Sequence, residues 1–409
     1  MTKRKEKGEV ISLLTREALL KRKVRRHLKC VGFKHDDDGL LYLPAESKEA
    51  IRAAHQMQRT ERSSKQADFL QLQFPRLSEH FATGDEVDAE KVKPRLERVR
   101  SGTWQADLFK LASLTWSVPV SPGFGRRLRY LVWDSSNQRL MGILAIGDPV
   151  FNLRSRDDYI GWTGEQRRSQ LVHIMDAYVL GAVPPYNRLL GGKIVASLLR
   201  TQEIFDDFMA TYGARKGIIS GKVKQARLAA ITTTSSMGRS SVYNRVKLGE
   251  KFYLRSIGYS SGYGHFHIPD KLFQDLRSYL REKKHNYADD HAFGEGPNWR
   301  MRVTRTAFEL IGMRPSLMMH GVKREVFICE MASNTIEFLK GEDKQLDVSG
   351  LKSVDEVAAL ACDRWLIPRA RRQTDYQKWT RDDLIALVLK SSGVRVSLVE
   401  PKKRKQARR

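Results

Sequence analysis

The sequence predicts an α+β protein, a mixed and mostly antiparallel sheet with helical N- and C-terminal flanks. Three observations predict it. β-rich apolar runs come in pairs around short polar turns, at 126–149 and 251–269. A long helical pattern at 187–213 separates an apolar strand pattern from a β-branched one, which makes a crossover connection. On either side of this core, residues 45–115 and 270–390 carry helical character.

The elements follow in order. Residues 1–30 hold eleven Lys/Arg and three Glu, and Leu20, Val24 and Leu28 recur at every fourth position. One stripe is apolar and the rest basic, an amphipathic helix that either docks on the body or serves as a nucleic-acid arm. Residues 45–115 read as helices joined by polar linkers such as "ATGDEVDAEK". "RRLRYLVWDSSNQRLMGILAIGDP" (126–149) is two β-rich runs around "SSN", a hairpin closed by Gly147-Asp148-Pro149. "LVHIMDAYVLGAV" (171–183) is a third strand. "NRLLGGKIVASLLRTQEIFDDFMATYG" (187–213) reads as one long helix with Gly213 as its stop. "ARLAAITTTSS" (226–236) is a strand, and "GRSSVYNRV" (238–246) a short helix with a serine near its start. "KFYLRSIGYSSGYGHFHIP" (251–269) is a second hairpin around Ser261-Gly262. The expected organisation is a basic, mainly helical region (1–110), an α+β core (111–270), a helical region (271–395) and a basic tail (396–409).

Composition narrows the function. Of 409 residues, 41% are apolar, enough for a globular protein and too many for a disordered one. No run of eighteen apolar residues exists to span a membrane, and "MTKRKEKGEV" leads into no signal region. Cys30, Cys329 and Cys362 are far apart, which argues against a zinc site or a disulfide framework and suits a reducing, cytoplasmic setting. Lys plus Arg is 73 against 47 Asp plus Glu, a net charge of +26. A self-repelling charge of this size calls for a polyanionic partner, and nucleic acid, DNA first, is the leading candidate.

Within the core, "PPYNRLLGGK" (184–193) stands between the third strand and the long helix. A helix N-terminus offers free N–H groups and a positive dipole end, and glycines let an anion approach. Arg188, Gly191, Gly192 and Lys193 are therefore candidate phosphate-binding residues; the other reading is a tight turn whose glycines serve packing. The spacing is not that of a Walker A loop. Asp134, Asp148, Asp157, Asp158 and Asp176 cluster at strand ends, where grouped carboxylates hold Mg²⁺ in nucleases. Set against that, Asp148 precedes a turn proline, and Asp157 and Asp158 have Arg154 and Arg156 as partners. His173 and Asp176 are three apart on a strand and so face opposite sides, while His265 and His267 share a side. No metal site is expected from them. Arg239, Arg245 and Lys247 surround Tyr243, and Trp299 adjoins Arg300 and Arg302; such basic-aromatic patches suit an unstacked base and its phosphates. Tyr243 and Trp299 also suit packed positions. In the tail, Lys402, Lys403 and Arg404 suit sequence-independent contact with a phosphate backbone.

The element order with "PPYNRLLGGK" at the crossover resembles the GCN5-related acyltransferase fold, which carries R/Q-x-x-G-x-G/A at this place. Arg188, Gly191 and Gly192 fall in that frame, with Lys193 standing where the final small residue would be. The resemblance implies backbone N–H groups holding the pyrophosphate of an acyl-CoA-like ligand, the cofactor itself being undetermined. It also implies an acidic role for Tyr243, which falls where many such enzymes place the tyrosine that protonates the leaving thiolate. Apart from this resemblance, Asp176 is the catalytic candidate among the grouped carboxylates. A second resemblance covers more of the chain. "LASLTWSVPVSPGFGRRLRYLVWD", "GDPVFNLRSRD", "DAYVLGAVPPYNRLLGGK", "GRSSVYNR", "GHFHIP", "GPNWRMR" and "HGVKREVFICEMASN" together resemble the protein A family of the Druantia anti-phage defence system. They run in order from Leu111 to Asn334. What this implies is a bacterial defence component working beside other proteins, including a helicase-like partner. The expected function is nucleic-acid binding, with modification at an acyltransferase-like site; the alternatives are a metal-dependent nuclease and a non-catalytic DNA-binding scaffold.

Overall fold

The computed structural model describes residues 15–37, 41–42, 48–118, 120–121, 123–214, 221, 225–265, 267–289 and 297–389. Two compact units emerge: Met1–Glu46 with Gly262–Val322, and Ser47–Ser261 with Lys323–Arg409. Along the chain come α1 (Arg16–Cys30), a short ribbon of β1 (Lys34–His35) and β2 (Leu41–Tyr42), α2 (Lys48–Ser64) and α3 (Ala67–Leu77). Then follow β3 (Pro94–Arg98), α4 (Trp104–Leu114), β4 (Arg127–Asp134), β5 (Arg139–Gly147), α5 (Arg154–Ile160), α6 (Gly164–Gln170) and β6 (Ile174–Ala182). The middle of the chain gives α7 (Gly191–Ser197), α8 (Gln202–Tyr212), β7 (Ala230–Thr234), β8 (Val246–Leu248) and β9 (Lys251–Tyr259). The remainder is α9 (Asp270–Glu282), α10 (Pro297–Leu310), β10 (Glu325–Glu330), α11 (Thr335–Lys340), α12 (Val354–Ala361), α13 (Ile367–Arg372) and α14 (Arg381–Leu389).

The larger unit is built on an eight-stranded sheet in the order β3-β4-β5-β6-β7-β10-β9-β8. Every neighbouring pair is antiparallel except β6 and β7, which run parallel. The mixed α+β class is therefore as expected. Strand alternation sorts the core into two faces. Leu128, Tyr130 and Val132 of β4 pack with Ile194 and Val195 of α7, Phe208 of α8 and Val357 of α12. Leu131 and Trp133 point the other way, toward Leu70 and Phe74 of α3, Leu108 of α4 and Leu384 of α14. In the smaller unit Leu20, Val24 and Leu28 of α1 join Leu272 and Leu276 of α9, and Val303 and Phe308 of α10, in a separate core. Burial of the α1 stripe answers the first question left by the sequence: the helix docks, and its basic side faces out.

Five elements differ from the sequence reading. The pattern at 187–213 is two helices, because a later segment captures the backbone between them: the Gln202 N–H donates to the Lys352 carbonyl at 2.9 Å, and the Thr201 hydroxyl donates to Leu198 at 3.0 Å. Gly213 does end the second of the two helices as its C-cap, in a right-handed conformation. Residues 238–245 form turns and no helix. Glu325 accepts from the Ser240 N–H at 2.9 Å, and Arg245 sits at φ 62°. No hairpin turns at Ser261-Gly262. β9 pairs instead with β8 and β10, and residues 262–322 leave the sheet between Ser260 and Arg324, whose backbones bond at 2.8 Å. Two strands, β3 and β10, were read as helical surroundings. "PRLER" is a charged edge strand, and "EVFICE" is buried on both faces and shows no alternation.

One side chain ties the sheet edge to the crossover. Asp134, fully buried, accepts from the Lys93 N–H at 3.1 Å, the Ser136 N–H at 3.0 Å and hydroxyl at 2.7 Å, and the Tyr186 hydroxyl at 2.9 Å. Asp134→Ala should lower stability by at least about 1–3 kcal/mol, the cost of a buried donor left unpaired. Urea denaturation checks this, and an unchanged midpoint contradicts it.

Candidate functional site

Parallel pairing of β6 with β7 lasts only three residues, Ile174↔Ala230, Met175↔Ile231 and Asp176↔Thr232. β6 then runs on to Ala182 beside β5 alone. Buried backbone groups need partners, and side chains supply them here. The Thr233 hydroxyl donates to the Ala177 carbonyl at 2.8 Å, and the Tyr243 hydroxyl to the Leu180 carbonyl at 2.7 Å. Tyr243 also packs edge-on against Phe327, and burial raises its phenol well above the ordinary tyrosine value. Its proton is thus held by protein backbone.

The "PPYNRLLGGK" turn lies beside this wedge. Leu190 takes the left-handed conformation at φ 59° and opens α7. The two glycines are explained by close approach. A Cβ on Gly191 would meet the Tyr186 carbonyl oxygen at 2.6 Å, and one on Gly192 would meet the Val242 side chain at 3.0 Å. Lys193 reaches the Asn244 carbonyl at 2.7 Å and lies 5.6 Å from the centre of the Trp365 ring. Burial lowers its pKa first, and the charges of Arg245 and Arg364 lower it further. The positive charges of Arg245 and Arg364 thus act on Lys193 at the turn. Arg188 donates to the Asp375 carbonyl at 2.9 Å and stacks 5.2 Å from Trp379, so it braces the C-terminal segment.

The carboxylates do not assemble. Asp148 is held by the Arg126 backbone at 3.0 Å and guanidinium at 2.6 Å. Asp157 accepts from buried Arg156 at 2.7 Å and Arg167 at 3.0 Å, and Asp158 pairs with Arg154 at 3.2 Å. Among the described residues no group of three or more His, Cys, Asp or Glu side chains could hold a metal ion. Asp176 accepts from the Thr232 hydroxyl at 2.8 Å, and desolvation pushes its carboxyl up to about 6. His173 lies in a turn before β6, accepts from the Arg227 N–H at 3.0 Å, and is lowered to about 4 by burial. His265 and His267 are not on a strand. His267 is a core side chain 2.9 Å from the Leu317 carbonyl.

The basic-aromatic candidates separate. Trp299 is a core anchor, donating to the Tyr287 carbonyl at 2.9 Å and packed edge-on against Phe273, and so is no exposed stacking surface. Arg239 and Arg245 are exposed, and Lys247 pairs with Glu250 at 2.8 Å. Lys402, Lys403 and Arg404 lie outside the described residues. What the sequence reading left open, the outward side of α1, is a basic face of the smaller unit. Lys21, Arg22, Arg25, Arg26 and Lys29 line one shallow depression with Ala18. Among the described residues Arg22, Arg25, Arg26 and Lys29 show no acidic partner within ion-pair distance. The spacing i, i+3, i+4 and i+7, opposite the apolar stripe, is the signal that finds it.

Fold and surface together define a mixed α+β protein with a basic exterior. No helix among the described residues is long and apolar enough to cross a membrane. The family model of Druantia protein DruA matches residues 45–341. Druantia protein DruA from Escherichia coli (strain UMEA 4076-1) is 54% identical over 388 residues, which cover 95% of this chain and 96% of that protein. The chain belongs to the Druantia protein DruA family, and its place is in anti-phage defence. No solved structure matches it significantly.

Two outcomes test the wedge. Gly191→Ala should destabilise the fold by about 1–3 kcal/mol, since the backbone carbonyl it meets cannot rotate away, whereas Gly192→Ala meets only a side chain and should cost less. Thermal denaturation of the pair decides, and equal loss contradicts the packing role. For Asp176 the sign follows from its raised pKa. The folded state holds a proton that the unfolded state has lost between about pH 4 and 6, so stability falls as pH rises through that window. Asp176→Asn should remove that fall and gain about 1–3 kcal/mol at pH 7. A wild-type and variant difference that is flat from pH 4 to 7 contradicts it.

Proposed function

We propose that this protein binds nucleic acid, DNA first, through its basic surface, and serves Druantia defence as a platform for a helicase-like partner. The observation that carries the reading is the row of unopposed cations on α1, in a chain of net charge +26. Charge of this kind makes sequence-independent contacts with phosphates, and the tail residues Lys402, Lys403 and Arg404 would add to it. Lys193, Arg245 and Arg364 form a second positive cluster, at the turn where an anion was expected.

A non-catalytic core is the best supported of the three readings weighed. The crossover between β6 and β7 fits an acyltransferase-like topology, and a phosphate at Lys193 would fit an acyl-CoA-like ligand. However, the Tyr243 hydroxyl donates its proton to a backbone carbonyl, and Lys193 gives one of its donors to another. Each candidate nuclease carboxylate other than Asp176 is held by an arginine or by local donors. Asp176 and Tyr243 therefore read as fold-holding groups and the glycines of the turn as packing, which leaves the exposed Arg245 and Arg364 for nucleic-acid phosphate.

Binding should weaken steeply with salt. Arg22, Arg25 and Arg26 changed together to Ala should make the log–log salt slope shallower by about 2 to 3, at roughly 0.9 per duplex phosphate. Removal of residues 401–409 should weaken all sequences alike. Fluorescence anisotropy at several salt concentrations reads both effects, and a dissociation constant that does not move with salt overturns the reading. By calorimetry acetyl-CoA should give no binding heat. Saturable heat that disappears in Lys193→Ala would favour the acyltransferase reading instead.

A further inference from the structure

The edge of the sheet carries an aromatic that the nucleic-acid reading has not used. β8 and β9 form the outermost ribbon, joined by a two-residue turn. Their register shifts between Val246 and Lys247, so Leu254 faces Val246 while Phe252 faces Lys247. Tyr253 is the extra residue, a bulge. Both Tyr253 and Leu254 consequently turn into the core, and the flanking Phe252 and Arg255 come out together on the opposite side. Phe252 is 40% exposed. The Arg255 guanidinium lies 4.8 Å from the centre of its ring, and the Lys247 ammonium 5.6 Å from it.

One exposed apolar ring is ordinary; what sets Phe252 apart is that two cations are held within cation–π distance of it. It matches the needs of an unpaired nucleotide. The base has a π-face for the ring, and the adjoining phosphates are anions for Arg255 and Lys247. The pair of Lys247 with Glu250 is exposed, and such pairs hold weakly enough for a phosphate to displace them. Duplex DNA hides its base faces in the stack and offers this ring nothing. We propose that the outer face of the β8–β9 ribbon, Lys247, Phe252 and Arg255, is a contact site for single-stranded nucleic acid, with a base stacked on Phe252. The site rests on the nucleic-acid reading above and narrows it to a strand with free bases.

The test uses the full chain and labelled dT15, rU15 and a 15-base-pair duplex, titrated by fluorescence anisotropy. Phe252→Ala should weaken single-strand binding by roughly five- to a hundredfold, the range for one lost base–aromatic stack, and leave duplex binding within about twofold. Phe252→Trp should retain the affinity and show tryptophan quenching on binding. The tighter of dT15 and rU15 identifies the sugar, and either one supports the site. A folded Phe252→Ala chain that binds both strands as the wild type does overturns the proposal. Should that variant not fold, absence of quenching in Phe252→Trp overturns it equally. A wild type that binds duplex but neither single strand defeats this site and leaves the broader reading standing. One that binds no nucleic acid defeats both.

Discussion

The early parting of β6 from β7 is the constraint on which the rest of the larger unit depends. Beyond Asp176 the buried edge of β6 has carbonyls with no strand to bond, and leaving them unpaired would cost as much as several hydrogen bonds return. Tyr243 and Thr233 answer that need. For Tyr243 to reach Leu180, residues 238–245 must run as turns across the wedge. That path brings Val242 against Gly192 and presents the Asn244 carbonyl to Lys193. It also delivers the chain to β8 at the sheet edge.

The wedge is closed by the protein's own side chains, whose polar atoms find backbone partners. Lys193 and Tyr243, which free in solution would be a cation and a weak acid, are both committed to carbonyls. Among the described residues, Arg22, Arg25, Arg26 and Lys29 of α1, Arg245 near the turn and the Phe252 ring are on the outside. The division follows from dielectric. Inside, a polar group must be paired; on the surface, cations held in solvent keep their charge for an anionic partner.

Much of this was legible in the sequence wherever the pattern is local. Leu20, Val24 and Leu28 fixed the buried side of α1, and "SSN" marked the β4–β5 turn, because helical period and turn chemistry act within a few residues. Failure came where a distant group decides. Ser240 looks like a helix start until Glu325, 85 positions on, takes its N–H. Residues 187–213 look like one helix until Lys352 bonds into the middle. For the site, the sequence chose Tyr243 as the aromatic among Arg239, Arg245 and Lys247. The exposed ring is Phe252, and only the bulge at Tyr253 reveals that, since strict alternation would put Phe252 and Arg255 on opposite faces.

The smaller unit is assembled from Met1–Glu46 and Gly262–Val322, with more than two hundred residues of intervening chain. On the ribosome, α1 is complete long before its partners α9 and α10 exist. At about 5–20 residues per second, the Leu20, Val24 and Leu28 stripe waits on the order of tens of seconds for its core. During that interval the helix is an exposed apolar strip flanked by strong positive charge, a substrate for chaperones and proteases as well as for any polyanion nearby. The basic residues on its outward side then act as solubilising guards on a half-made protein.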